Sequence, residues 1–202
     1  MNRMFESPAA LLILVVTVVV SMIGMNRPQF LAWAMLRPYR LFRERQYEKL
    51  ITSGFVHADW GHLLFNLITF YSFGFALERR IGSLSFVALY FIGMVLSEIG
   101  TCLKHRNDPN YASLGASGAI LAVLFAAIVY APTSTLFIFP LPIPIPAPLF
   151  AVGYLAYSYY ASRQNTGNVN HDAHIGGALT GLAFVALTEP RAYRRLLEMA
   201  GF

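Results

Sequence analysis

Tyr111–Pro132 reads YASLGASGAILAVLFAAIVYAP, an uncharged stretch that sets Gly115-Ala116-Ser117-Gly118 at the mouth of an apolar helix ending at Pro132. A helix rises roughly 1.5 Å per residue, so the fifteen residues from Ser117 to Pro132 cover roughly 22 Å. A hydrocarbon layer is roughly 30 Å thick. With Pro132 at one membrane face, Ser117 therefore lies below the other. The first N–H groups of a helix have no partner of their own, and a hydroxyl beside them suits a reaction that passes through an oxyanion.

The rest of the chain makes a membrane setting reasonable. Its 202 residues are 56% hydrophobic and only 12% charged, with a mean hydropathy of +0.54, well outside soluble averages. One polytopic membrane domain over residues 1–202 is expected, with no separate soluble domain. The single Cys102 excludes an intrachain disulfide and reads as a small buried hydrophobe. A net charge of +5, carried in loops and at the chain ends, favours anionic lipid headgroups over nucleic acid.

Six spans follow from the apolar runs: residues 8–25, 61–77, 84–103, 117–131, 149–161 and 172–188. The first is flanked on its N-terminal side by Arg3 alone. A signal peptide is the competing reading, disfavoured by an apolar core longer than the usual roughly 7–15 residues and by the lack of a clean A-x-A site after it. Between the first two spans lies a long connection mixing Arg27, Arg37, Arg40, Arg43, Arg45 and Lys49 with Trp33 and other apolar residues, a pattern expected to lie in the membrane interface. Glu78-Arg79-Arg80-Ile81-Gly82 reads as a charged turn between spans two and three. Glu98 lies within span three, close to Lys104, His105 and Arg106, so a local ion pair competes with a functional role.

Alternating prolines from Pro140 to Pro148 predict a polyproline-like strut. Span five is short, and Tyr154, Tyr157, Tyr159 and Tyr160 read as an interfacial belt, with a gate as the competing use. Arg163 to Asn170 is a polar loop, and Asn170 or Asp172 caps span six.

Spans two, four and six run in one direction, so their starts share a face. Measured from each far-end break, Ser117 is fifteen residues from Pro132, His174 fifteen from Glu189, and His62 sixteen from Glu78. These three side chains come to one depth, with Asn66 one turn beyond His62 on the same helix face. Gly177 and Gly181 near His174, and Gly118 with Ala122 beside Ser117, let spans four and six approach backbone to backbone. His174 is then placed to take the proton of Ser117, with His62, Asn66 and the Ser117 backbone N–H as oxyanion donors. No carboxylate is placed to orient His174. His57 is expected near the surface, supporting the loop. His171 and His174 also permit a metal reading, which lacks an inward carboxylate besides Glu98; no metal site is expected.

His57-x-x-x-x-His62-x-x-x-Asn66, Glu78-x-Arg80-x-Gly82, Gly115-Ala116-Ser117-Gly118 and Ala173-His174-x-x-Gly177, in this order, resemble a bacterial rhomboid intramembrane serine protease. The resemblance implies an all-α integral membrane fold, a six-transmembrane-helix bundle with a long interfacial first loop. It further implies a Ser117–His174 dyad, an oxyanion site at His62 and Asn66, and cleavage of transmembrane segments of other membrane proteins. Glu78 and Arg80 would tie the turn after span two, with Gly82, Gly115, Gly118, Gly177 and Gly181 as structural support.

Two departures stand out. Glu48-Lys49 occupies a loop position where some members have Trp-Arg, and Leu121 stands where some place a tyrosine that stacks on the catalytic histidine. Looser loop anchoring and a less firmly held His174 are the expectations.

The scheme needs no cofactor. A catalytically silent client-binding relative and a small transporter with a polar His/Asn/Ser pathway, expected to depend on Glu98, are the alternatives. Basic residues counted by loop favour an outside N-terminus, whereas Arg79, Arg80 and the C-terminal Arg191, Arg194 and Arg195 favour the reverse. The resemblance implies cytoplasmic termini in an inner membrane, with the active site opening to the opposite face.

Overall fold

The computed structural model describes residues 6–138, 141–164, 169–199 and 201. Arg3, Pro140 and positions 165–168 of the polar loop lie outside the described residues.

Helix α1, Pro8–Asn26, begins on a proline whose missing N–H would have had no helical partner. Its buried face is small and partly polar, formed by Ala10, Ile13, Thr17, Ser21 and Gly24. Leu12, Val15, Val19 and Met22 point outward instead. A helix with its larger apolar side chains on the outside suits lipid better than water. Three short helices follow, α2 (Pro28–Ala34), α3 (Pro38–Arg43) and α4 (Lys49–Thr52), then a 3-10 turn at Ser53–Phe55. This loop is tied internally, with the Thr52 hydroxyl donating to the Ala34 carbonyl at 2.9 Å. It is tied to the body by paired Leu36 and Ser113 backbones.

Helix α5, Trp60–Ile81, is capped by Asp59, whose side chain accepts from the His62 N–H at 2.8 Å. Glu78, Arg79 and Arg80, expected in a turn, instead form its last turn. Arginines there complement the negative end of the helix dipole, and the chain reverses only at Gly82, whose φ of 80° suits glycine. Helix α6 then runs Ser83–His105.

Helix α7, Ser117–Tyr130, is buried at every position except Ser117, Ala127 and Tyr130. Such all-round burial marks the central element. It packs against α5, α6 and α9 (His171–Thr188).

The proline run is not a lone strut. Leu141–Pro146 is strand β2, antiparallel to β1 (Thr135–Ile138), with Thr135 opposite Pro146 and Phe137 opposite Pro144. Prolines at every second position of an extended chain put their missing donors on one side, so the other edge still pairs. Helix α8, Ala147–Gln164, follows and buries little beyond Ala147 and Ser158. After α9 come a 3-10 turn, Pro190–Tyr193, and helix α10, Arg194–Met199. By length and composition α1 and α6 suffice to cross a membrane, and α7 is a shorter apolar helix.

Candidate active site

Gly115 opens the site. Its φ of 115° lies outside the range of side-chain-bearing residues, and a Cβ there would press into the His62 ring, 2.7 Å from Cε1. This turn sends the chain into α7 with Ser117 as its first helical residue. The first intrahelical donor is the Ile120 N–H, which reaches the Ala116 carbonyl. The N–H groups of Ser117 and Gly118 take no protein acceptor among the described residues.

His174 sits in the first turn of α9, a helix capped by Asn170 through the Ala173 N–H at 3.1 Å. The α7 and α9 backbones touch here, because a Cβ on Gly177 would overlap the Gly118 carbonyl and one on Gly181 the Ala122 carbonyl. Gly176 meets the Ser97 backbone of α6 in the same way, a contact that no motif in the sequence announces. At this spacing His174 Nε2 lies 3.0 Å from Ser117 Oγ.

The other face of the imidazole is also held. Tyr154 of α8 places its hydroxyl 2.9 Å from His174 Nδ1, and the two rings lie nearly parallel, 6.2 Å between centroids at 28°. The sequence places Tyr154 in a belt or gate. Nothing in the spacing of four tyrosines singles out the one that meets a histidine on another helix.

His62 and Asn66 lie near this centre without a hydrogen bond to Ser117 among the described residues. The His62 ring covers Gly115, and the buried Asn66 donates one amide hydrogen to the His62 carbonyl at 2.9 Å. His57 is not near the surface. It is fully buried, with Nδ1 2.8 Å from the Ser21 hydroxyl and Nε2 accepting from the Ala116 N–H at 3.4 Å. Burial, with the neighbouring His62 second, depresses this loop imidazole to about 3, against a smaller opposing pull from Asp59.

Among the described residues Glu98 makes no ion pair with the nearby bases. Its carboxylate accepts from Asn170 Nδ2 at 3.3 Å and from the Ser113 hydroxyl at 3.5 Å. Lys104 pairs at 2.8 Å with Asp172 instead, so Asp172 is a salt-bridge partner and Asn170 alone caps α9. Among the described residues no group of three or more His, Cys, Asp and Glu side chains is arranged to hold a metal.

Glu78 does more than tie a turn. Its carboxylate accepts from the Ala9 and Ala10 N–H groups at 3.0 and 2.7 Å and from the Ser83 hydroxyl, capping α1 from α5. Arg80 points away from that turn, 3.9 Å from Glu189 beyond α9. At the loop position where different anchoring is expected, buried Lys49 lies 3.6 Å from the Trp33 ring centroid, so the indole comes from earlier in the loop.

A helical, apolar-surfaced bundle with a serine and an imidazole in contact at adjoining helix starts belongs to a membrane-embedded class of protein. Residues 44–191 match a family model described as a Rhomboid domain, and the chain belongs to the rhomboid family. It is 27% identical over 154 residues to RHOMBOID-like protein 12, mitochondrial, of Arabidopsis thaliana, covering 68% of this chain and 45% of that one. It is 25% identical over 182 residues to Rhomboid protein 1, mitochondrial, of Saccharomyces cerevisiae, covering 84% and 51%. With the Rhomboid protease GluP of Bacillus subtilis it shares 29% over 153 residues, covering 75% and 28%. The chain thus spans about half or less of the length of these relatives.

Proposed function

We propose that the chain is an intramembrane serine endopeptidase of bacterial type that cleaves transmembrane segments of other membrane proteins. The observation that carries the reading is the 3.0 Å contact between Ser117 Oγ and His174 Nε2. Ser117 Oγ attacks the scissile carbonyl while His174 Nε2 takes the hydroxyl proton. The oxyanion forms beside the free Ser117 and Gly118 N–H groups, with the His62 ring and the second Asn66 amide hydrogen as further donors. Collapse of the tetrahedral adduct breaks the C–N bond, and His174 returns its proton to the leaving amine. Water then attacks the acyl-enzyme by the same route and frees Ser117. No step calls on a cofactor.

Helices α1, α5, α6, α7, α8 and α9 serve in this reading as six spans, with the α2–α4 loop in the interface. At roughly 1.5 Å per residue the fourteen residues of α7 cover about 21 Å, less than the roughly 30 Å of hydrocarbon. Ser117 is thereby set below one face and reached by water from it. A substrate helix must unwind there, since its carbonyls are already hydrogen-bonded, so helix-weakening residues near the scissile bond are expected. The family resemblance supports an inner-membrane location with cytoplasmic termini, and a reporter fused to the C-terminus should be active in the cytoplasm.

The test is labelling of the reconstituted protein with a fluorophosphonate. Covalent modification at Ser117, abolished in Ser117→Ala and lowered at least roughly a hundredfold in His174→Ala, is the expected result. An unlabelled Ser117, or labelling indifferent to His174, overturns the reading in favour of a non-enzymatic rhomboid that holds membrane clients.

A further inference from the structure

For His174 to accept the Ser117 proton at Nε2, its other nitrogen must carry hydrogen, because a neutral imidazole has one donor and one acceptor. The opposite tautomer would point an N–H at Ser117 and leave no base. Serine–histidine sites commonly fix this with a carboxylate on the far nitrogen. Here neither nearby acid reaches it: Asp172 is paired with Lys104 and Glu98 is bound to Asn170 and Ser113. The group at Nδ1 is the Tyr154 hydroxyl, at 2.9 Å.

A phenol can donate or accept, so its own proton needs a destination. One turn along α8 lies Ser158, completely buried and without a hydrogen-bond partner for Oγ among the described residues. Four residues on from Tyr154, it lies on the same face of α8. An O–H directed from Tyr154 toward Ser158 leaves a phenolic lone pair for the Nδ1–H of His174. Packing supports the same arrangement. Leu121, the aliphatic residue one turn after Ser117, belongs to the apolar cluster against which Tyr154 packs, and the Tyr154 ring lies nearly parallel to the imidazole.

We infer that Tyr154, with Ser158 behind it, is the positioning residue that holds His174 in the Nδ1–H tautomer, doing from α8 what a carboxylate does in a three-residue site. This rests on the proposed dyad for its catalytic consequence, but not for its structural one. The imidazole tautomer exists whether or not Ser117 reacts.

The experiment compares the reconstituted wild-type chain with Tyr154→Phe, which keeps the ring, and with Tyr159→Phe on the exposed side of the same helix. The ring nitrogens of 15N-labelled His174 are read by solid-state NMR, where protonated and bare nitrogens resonate far apart. Fluorophosphonate labelling of Ser117 gives the inactivation rate constant and the half-saturating concentration separately. The wild type and Tyr159→Phe should show one Nδ1–H signature. Tyr154→Phe should show mixed tautomers, with the rate constant down roughly tenfold to a hundredfold, the size expected for loss of one oriented hydrogen bond, and half-saturation unchanged. Ser158→Ala should move in the same direction by less.

An unchanged His174 signature in Tyr154→Phe overturns the assignment whatever the labelling does. A rise in half-saturating concentration alone overturns it too, by giving Tyr154 a role in binding. A wild type that never labels, yet whose His174 tautomer depends on Tyr154, removes the protease reading and leaves the positioning role standing.

Discussion

Within the motif Glu78-x-Arg80-x-Gly82 the energetic weight is unequal. Glu78 is 1% exposed, and its carboxylate supplies the cap that Ser7 does not give α1. A buried carboxylate without its donors, or helix N–H groups without their acceptor, carries a full desolvation cost. Glu78→Gln swaps one acceptor oxygen for a donating amide that faces N–H groups, so a loss of about 2–3 kcal/mol is expected. Arg80 is 61% exposed and only 3.9 Å from a similarly accessible Glu189, a surface pair whose removal costs about 0–1 kcal/mol. Denaturant titration of the two variants in micelles checks this ordering. Equal losses would mean that the α1 cap is not what Glu78 contributes.

Between elements, the contact that matters most to the site is made by absent side chains. A methyl at Gly177 or Gly181 would enter a backbone carbonyl of α7, which cannot rotate away as a long side chain can. Gly177→Ala must therefore separate α7 from α9 next to His174, and a fluorophosphonate labelling rate down roughly tenfold or more is expected, since a displacement near 1 Å can cost about a hundredfold. At Gly153 of α8 an added methyl would meet nothing within 4 Å, so Gly153→Ala should label like the wild type and gain up to roughly 1 kcal/mol of stability. Labelling of Gly177→Ala at the wild-type rate would show that the helices can part without disturbing the site.

This small-residue seam was legible because glycine spacing and helix depth are one-dimensional quantities. The rotational setting of α8 was not, since no period in its tyrosines marks Tyr154 apart from Tyr157 or Tyr159. The Trp33–Lys49 contact escaped for a similar reason, being made across sixteen residues of irregular loop. The proline run misled because proline's fixed φ suits both a free strut and the open edge of a two-stranded ribbon, and only the neighbouring Thr135–Ile138 decides between them.

Across the whole molecule, His57 joins parts that are far apart in the chain. The Ala116 N–H at the start of α7 donates to Nε2. Nδ1 meets the Ser21 hydroxyl of α1, which in turn donates to the Phe55 carbonyl at 3.0 Å. Nε2 accepts only while it is unprotonated, so the junction requires a neutral imidazole. Unfolded, His57 titrates near 6.5, while in the folded chain burial brings it down to about 3. Between these values the unfolded chain holds the extra proton, and stability must rise with pH. The contribution is fully present above 6.5 and is lost as the pH falls toward 3, about 2 kcal/mol by pH 5 and on the order of 5 kcal/mol at the lower limit. Because other groups also bind protons on acidification, the measurement is a difference: unfolding free energy against pH for the wild type and for His57→Asn, which keeps polar atoms but has no proton to gain. The variant should be less stable at pH 7 and should lose less on acidification to pH 5, so that the two curves converge. Parallel curves would mean that protons reach His57 in the folded chain as readily as in the unfolded one, and that α1, the loop and α7 are held together by something other than this ring.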